Sequence, residues 1–102
     1  MKIIKHLIED LQEEMEGSEH YAKMALKYKD SDRDVADMFH KLSIVEKEHA
    51  DMLHAAVVRK IKEKHAAGVE TPAPMQAVYD WEHAKMVEAA TRLKSLQDMY
   101  KG

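Results

Sequence analysis

The chain has 102 residues, a formal net charge of −3 and no cysteine. That length allows one domain with a modest core. The missing thiols exclude disulfide scaffolds, thiolate metal sites and thiol nucleophiles, and the acidic balance gives no electrostatic drive toward nucleic acid or an anionic membrane.

The first stretch, MKIIKHLIEDL, opens a helix expected over about residues 3–28. Lys5, His6, Glu9 and Asp10 break the apolar run that a signal peptide would need. The longest run anywhere without Asp, Glu, Lys, Arg or His is Thr71–Tyr79, too short to cross a bilayer. A cytoplasmic protein is expected. Next, Lys29–Asp34 (KDSDRD) reads as a polar turn in which Ser31 or Asp32 caps a second helix over about 33–66. In Ala67–Pro74, Gly68 suits a helix C-terminus, and Thr71 with Pro72 suits the start of a third helix over about 73–100. No strand-like alternation occurs, so residues 1–102 are expected to form a single all-α domain.

Lines drawn along each helix at alternating spacings of four and three give three seams. They run Leu7, Leu11, Glu14, Ser18, Tyr21, Ala25, Tyr28; then Val35, Phe39, Leu42, Glu46, His49, Leu53, Ala56; then Met75, Tyr79, Glu82, Met86, Ala89, Leu93, Leu96, Tyr100. Each is apolar except for ionisable groups midway. A buried lone carboxylate costs several kcal/mol unless it is paired or bound to a metal. Function is therefore to be sought at those interruptions.

Glu46 and His49 form a Glu-x-x-His pair, which puts a carboxylate and an imidazole on one helix face. The spacing alone says little: with 19 acids and seven histidines, chance gives about one acid-x-x-His match, and four occur. The others are Asp37/His40, Asp51/His54 and Asp80/His83. Of these, Asp37/His40 and Asp51/His54 lie on largely polar lines, whereas Glu46 and His49 interrupt an apolar one. Taken alone, His49 reads as a buried histidine bonded to a neighbouring carboxylate; Glu14, midway along the adjacent seam, shifts the balance. A bundle holding two metal ions between carboxylates takes a Glu from each of two helices and a Glu-x-x-His from each of two others. This chain has half that set, and a two-fold dimer would complete it. The oxygen-rich mixture suits iron or manganese better than zinc or copper.

On these residues the sequence resembles the ferritin-like superfamily. Val45–Leu53 (VEKEHADML) is similar to the Glu-x-x-His helix of ferritins and rubrerythrins. Glu13–Ala25 (EEMEGSEHYAKMA) resembles their first iron-binding helix, with Gly17 three residues and Tyr21 seven residues after Glu14. The likeness is greatest to the half-length encapsulated ferritins and covers about residues 10–55. It implies a ferroxidase centre shared by two protomers, with Glu14, Glu46 and His49 as iron ligands. It also implies that Glu13 and Glu16 line an iron route and that Tyr21 stands beside the centre. The departures are specific. His20 stands where that family has tryptophan, the break between helices is two residues longer, and the third helix matches poorly. The ending QDMYKG has no recognisable cargo-loading tail, which argues against residence in an encapsulin nanocompartment, and the lack of cysteine excludes a full rubrerythrin.

The expectation is an antiparallel helical hairpin plus a third helix, completing a four-helix bundle by dimerisation. Such a homodimer, with a ring-like higher oligomer as an extension, would hold two irons per interface and oxidise Fe(II) with O₂. The two metals would lie about 3.5–4 Å apart, as in two-metal sites generally. The competing reading is a non-catalytic helical interaction module whose Glu/His cluster fixes register. Glu13, Glu16 and His20 follow one another at about one turn each and form a candidate accessory cation site; a solvated acidic face is the ordinary reading of Glu9, Asp10, Glu13, Glu16 and Glu19. Glu82 is expected to pair with Lys85 or Lys94. Trp81 and His83 are expected to pack or to meet a partner, and His6, His54 and His65 carry no assigned role.

Overall fold

Asp32 is the residue that starts the second helix: its carboxylate accepts a hydrogen bond from the Val35 N–H at 3.2 Å, satisfying one of the helix's orphan donors. The computed structural model describes residues 2–101, and the outermost positions of the expected domain, Met1 and Gly102, lie outside them. Within that range the chain forms α1 (Lys2–Tyr28), α2 (Arg33–Ala66) and α3 (Ala73–Lys101), with no strand. Gly68 takes φ +81° just past the end of α2, a conformation a Cβ would strain. No described helix is long and apolar enough to cross a membrane.

α1 and α2 form an antiparallel hairpin sealed by a seam of small residues. Ile4, Leu11, Ser18 and Ala25 are buried at intervals of seven on α1, and Ala36, Ser43, Ala50 and Val57 at intervals of seven on α2. The small side chains let the two backbones approach closely. Ser18 Oγ reaches the Ser43 carbonyl at 2.6 Å, and Ser43 Oγ reaches the Ser18 carbonyl at 2.9 Å. On α2 this seam is displaced by one residue, about 100° of helix rotation, from the line drawn through the sequence, whereas Leu11, Ser18 and Ala25 on α1 and Leu93 and Tyr100 on α3 are buried as expected. Met15 and Ala22 are buried where Glu14 and Tyr21 were expected, and Ala50 where His49 was. Alanine and serine take the centre because they allow the closest approach; the bulkier Tyr21, Phe39, Leu42 and Leu53 fall half-buried on its flank.

α3 runs parallel to α1 and lies on the opposite flank of the hairpin. Gln12 donates to Glu82, and Arg92 pairs with Glu19 at 3.3 Å. Near the helix's end, Lys29 Nζ donates to the Met99 carbonyl at 3.1 Å. Its buried side chains, Leu93 and Tyr100, both lie in the C-terminal half. Leu93 packs among Leu11, Met15, Ala22 and Ala50, and Tyr100 against Ala25 and Ala36. Fully burying a leucine is worth about 2–3 kcal/mol, so Leu93 is the main apolar anchor of the helix. The N-terminal half stands off α2, leaving a groove of about 630 Å³ lined by residues such as Leu11, Met15, Val57, Ile61 and Met86. The result is a rod of 56 × 18 × 18 Å.

Candidate metal centre

Glu14 of α1 and Glu46 and His49 of α2 converge on the flank facing away from α3. Gln12 and Glu19, which face α3, stand about 140–160° around α1 from Glu14. One ligand atom from each of Glu14, Glu46 and His49 lies within 4.8 Å of the others, close to the span across a single ion at bond lengths of about 2.1–2.4 Å. These are the three ligands expected from the sequence, and among the described residues they are the one group of three or more acidic or imidazole side chains that is so placed.

The cluster is electrostatically frustrated. Glu46 is held above its ordinary value, first by hydrogen bonding to the Glu14 carboxyl group, then by desolvation and by the Glu14 charge; His49 opposes the shift. Glu14 Oε2 is buried and has no hydrogen-bond partner. His49 Nδ1 is 3.6 Å from that oxygen, beyond a good hydrogen bond. A buried carboxylate oxygen left without a donor is costly, and a cation is the partner that would satisfy it. His49 keeps half of its side-chain surface exposed, so the group opens outward rather than lying in the dry seam expected of it. Gly17, one turn beyond Glu14, faces the Glu46 carboxylate: a Cβ there would sit 3.6 Å from Oε2.

Glu13, Glu16 and His20 do not join that group. All three are exposed. Tyr21 is half-buried, with its ring centre 5.6 Å from that of His20 and 6.0 Å from that of Phe39. Phe39 stacks in turn on Tyr28 at 6.2 Å. The flank carrying Glu14, Glu46 and His49 therefore continues as an aromatic stripe. Glu82 takes the role expected of it, pairing with Lys85 at 3.8 Å. Trp81 is exposed beneath the Lys85 ammonium, 3.8 Å from the ring centre.

Two polar arrangements escaped the sequence reading. One is the Ser18–Ser43 exchange, extended by Gln97 Nε2, which donates to Ser43 Oγ at 2.9 Å. The other closes the far end of the rod, where Tyr100 stacks on His40 at 4.5 Å and donates to Asp37. Serines at matching heptad positions of two neighbouring helices were the available signal for the first.

Fold and site together define an all-helical protein with a two-carboxylate, one-imidazole cluster on an uncovered flank. No protein-family model, curated protein or solved structure matches the chain.

Proposed function

We propose that this protein binds iron at Glu14, Glu46 and His49, completes the site by pairing with a second copy of itself, and oxidises Fe(II) with O₂. The observation that carries the reading is the convergence of these three side chains around an orphaned, buried Glu14 oxygen. The donors fit the group: two carboxylates and an imidazole favour Fe(II) or Mn(II) over softer ions. Iron is the substrate here. Each of two Fe(II) ions gives one electron, and dioxygen takes both.

The chain's own residues hold and orient. Glu46, whose carboxyl is pushed upward beside Glu14, gives up its proton when a cation takes its place, so binding is coupled to proton release. Glu46, facing Gly17, has room to swing and is assigned the bridging role; Glu14 is assigned terminal coordination. His49 supplies the nitrogen. A second copy is required because one chain offers two carboxylates and one imidazole where two irons need twice that. The stripe of Tyr21, Tyr28, Phe39, Leu42 and Leu53 beside the ligands is the surface assigned to that contact. The reading is the one that the resemblance to ferritin-like proteins implies, and the convergence of Glu14, Glu46 and His49 is what supports it. Exposed Glu13 and Glu16 suit a route for the incoming cation, and their joint replacement by alanine should slow uptake at limiting iron without removing the tight site.

Anaerobic addition of Fe(II) followed by air, read by absorbance with native mass measurement in parallel, tests the reading. Glu46→Ala or His49→Ala should abolish rapid oxidation, and Asp37→Ala or Asp51→Ala should leave it near wild type. Less than about one iron or manganese per pair of chains after loading would reduce the cluster to a polar register device.

A further inference from the structure

Two of the remaining acid-x-x-His pairs face each other across the groove. His54 of α2 and His83 of α3 have ring centres 5.8 Å apart with planes inclined by 28°, and both line the groove where the N-terminal half of α3 stands off α2. His54 is five residues from His49, about 140° around α2, so this pair lies on the opposite flank from the carboxylate cluster.

We propose that His54 and His83 form a second, all-nitrogen cation site that takes one borderline divalent ion such as Zn(II) and ties the N-terminal half of α3 to α2. The spacing supports this. A metal–nitrogen bond of about 2.0–2.1 Å places an imidazole centre about 3 Å from the ion, so two rings on one tetrahedral ion lie about 5 Å apart. The rings now face each other, and closing on an ion requires rotation about χ2, a broad torsion in histidine, rather than movement of a helix. Both rings are available: His49 and His65 are the histidines with an ion-pair or hydrogen-bond partner among the described residues.

The aspartates of the two motifs are engaged elsewhere. Asp51 pairs with Lys47, and Asp80 accepts from Gln76 Nε2 at 2.9 Å. Two imidazoles and water therefore make the site, which selects borderline ions over hard ones. The consequence is mechanical. Leu93 and Tyr100 bury only the far half of α3, the near half is held to α1 through Gln12 and Glu82, and an ion on His54 and His83 would fix that half to α2 over the groove. This inference does not depend on the iron reading, because it uses other residues, another flank and another donor set.

Zn(II) titration of the intact chain, followed by imidazole ¹⁵N–¹H correlation spectra and amide hydrogen exchange, tests it. One ring nitrogen of His54 and one of His83 should shift together at the same Zn(II) concentration, and exchange across Val78–Met86 should slow. His83→Ala, at an exposed position, should weaken the His54 response by about tenfold or more, at least what loss of a ligand's supporting group costs. His54→Gln should do the same to His83. Separate titration of the two rings, or a His54 response unchanged in His83→Ala, would overturn the proposal. The His49 signal reports the carboxylate cluster independently in the same spectra.

Discussion

Ser18 and Ser43 exchange hydrogen bonds across the hairpin, each hydroxyl donating to the other residue's backbone carbonyl, at 2.6 and 2.9 Å. Both are fully buried, so each bond is shielded from competing water. The pair sets the distance between α1 and α2 and hence the distance from Glu14 to Glu46, one turn away on each helix.

The first prediction follows from the partners each serine holds. Ser18→Ala removes one buried hydrogen bond and should cost about 1 kcal/mol. Ser43→Ala removes its own bond and also leaves the Gln97 amide without its acceptor, so it should cost more, about 2 kcal/mol. Ser18→Val overfills the seam, at about 1–3 kcal/mol. Urea unfolding of the three variants checks the order; equal costs for the two alanine variants would remove Gln97 from the account.

A second prediction concerns the metal-free protein. The Glu46 carboxyl is held above its ordinary value of 4.5 in the folded chain. Its stabilising proton is therefore fully present below that value and is lost as pH rises through the raised one. The apo protein should weaken over that rise, and Glu46→Gln should flatten the profile and raise the neutral-pH melting midpoint. Fe(II) or Mn(II) under anaerobic conditions should restore the wild type and leave Glu46→Gln largely unchanged, since bound metal replaces the proton. Melting curves at several pH values, with and without metal, decide it.

Helix type, number and breaks were legible because Asp32, Gly68 and Pro72 mark the ends with local chemistry that needs no tertiary context. Glu14, Glu46 and His49 were legible because heptad phase alone places them on facing sides of two helices. The seam was misplaced by one residue on α2 and in part on α1, because hydrophobicity weighs Leu42 and Tyr21 above Ser43 and Ala22, whereas close helix packing favours the smaller pair. The stacking of His54 on His83 was not legible: it depends on how α3 is set against the hairpin, which Leu93 and Tyr100 fix from the other end.

The third prediction lies at the Tyr100 end. Burial, with help from Lys101, pushes the His40 imidazole below its ordinary value of 6.5, against the pull of Asp37. Arg33 lies over the Tyr100 ring, so a protonated His40 would join a cationic neighbourhood. Its contribution is present above 6.5 and is lost as pH falls through the lowered value. Acidification below 6.5 should loosen the end of α3 first, seen as faster amide exchange over Leu93–Lys101. His40→Phe keeps the stack on Tyr100 and should remove that pH dependence.

The last prediction is that the uncovered flank is closed by a second copy. A standard interface needs about 800 Å² from each partner, and one face of a rod 56 Å long and 18 Å wide offers about 1000 Å². α3 occupies the opposite flank, so an isologous dimer can form without displacing it, and the two-fold operation brings Glu14, Glu46 and His49 of both copies into one bundle. Leu42, half-buried beside Phe39 and Glu46, sits within that contact. Leu42→Arg should leave the monomer folded, because its side chain already borders solvent, but should hold sedimentation at the monomer and weaken iron binding in parallel. Val87→Glu, on the exposed side of α3, should leave both as in the wild type. Metal should strengthen the dimer, since it binds the assembled site. A wild-type chain that sediments as a monomer while carrying its full complement of iron would end the shared-site reading, and Leu42→Arg that stays dimeric would place the contact on another face.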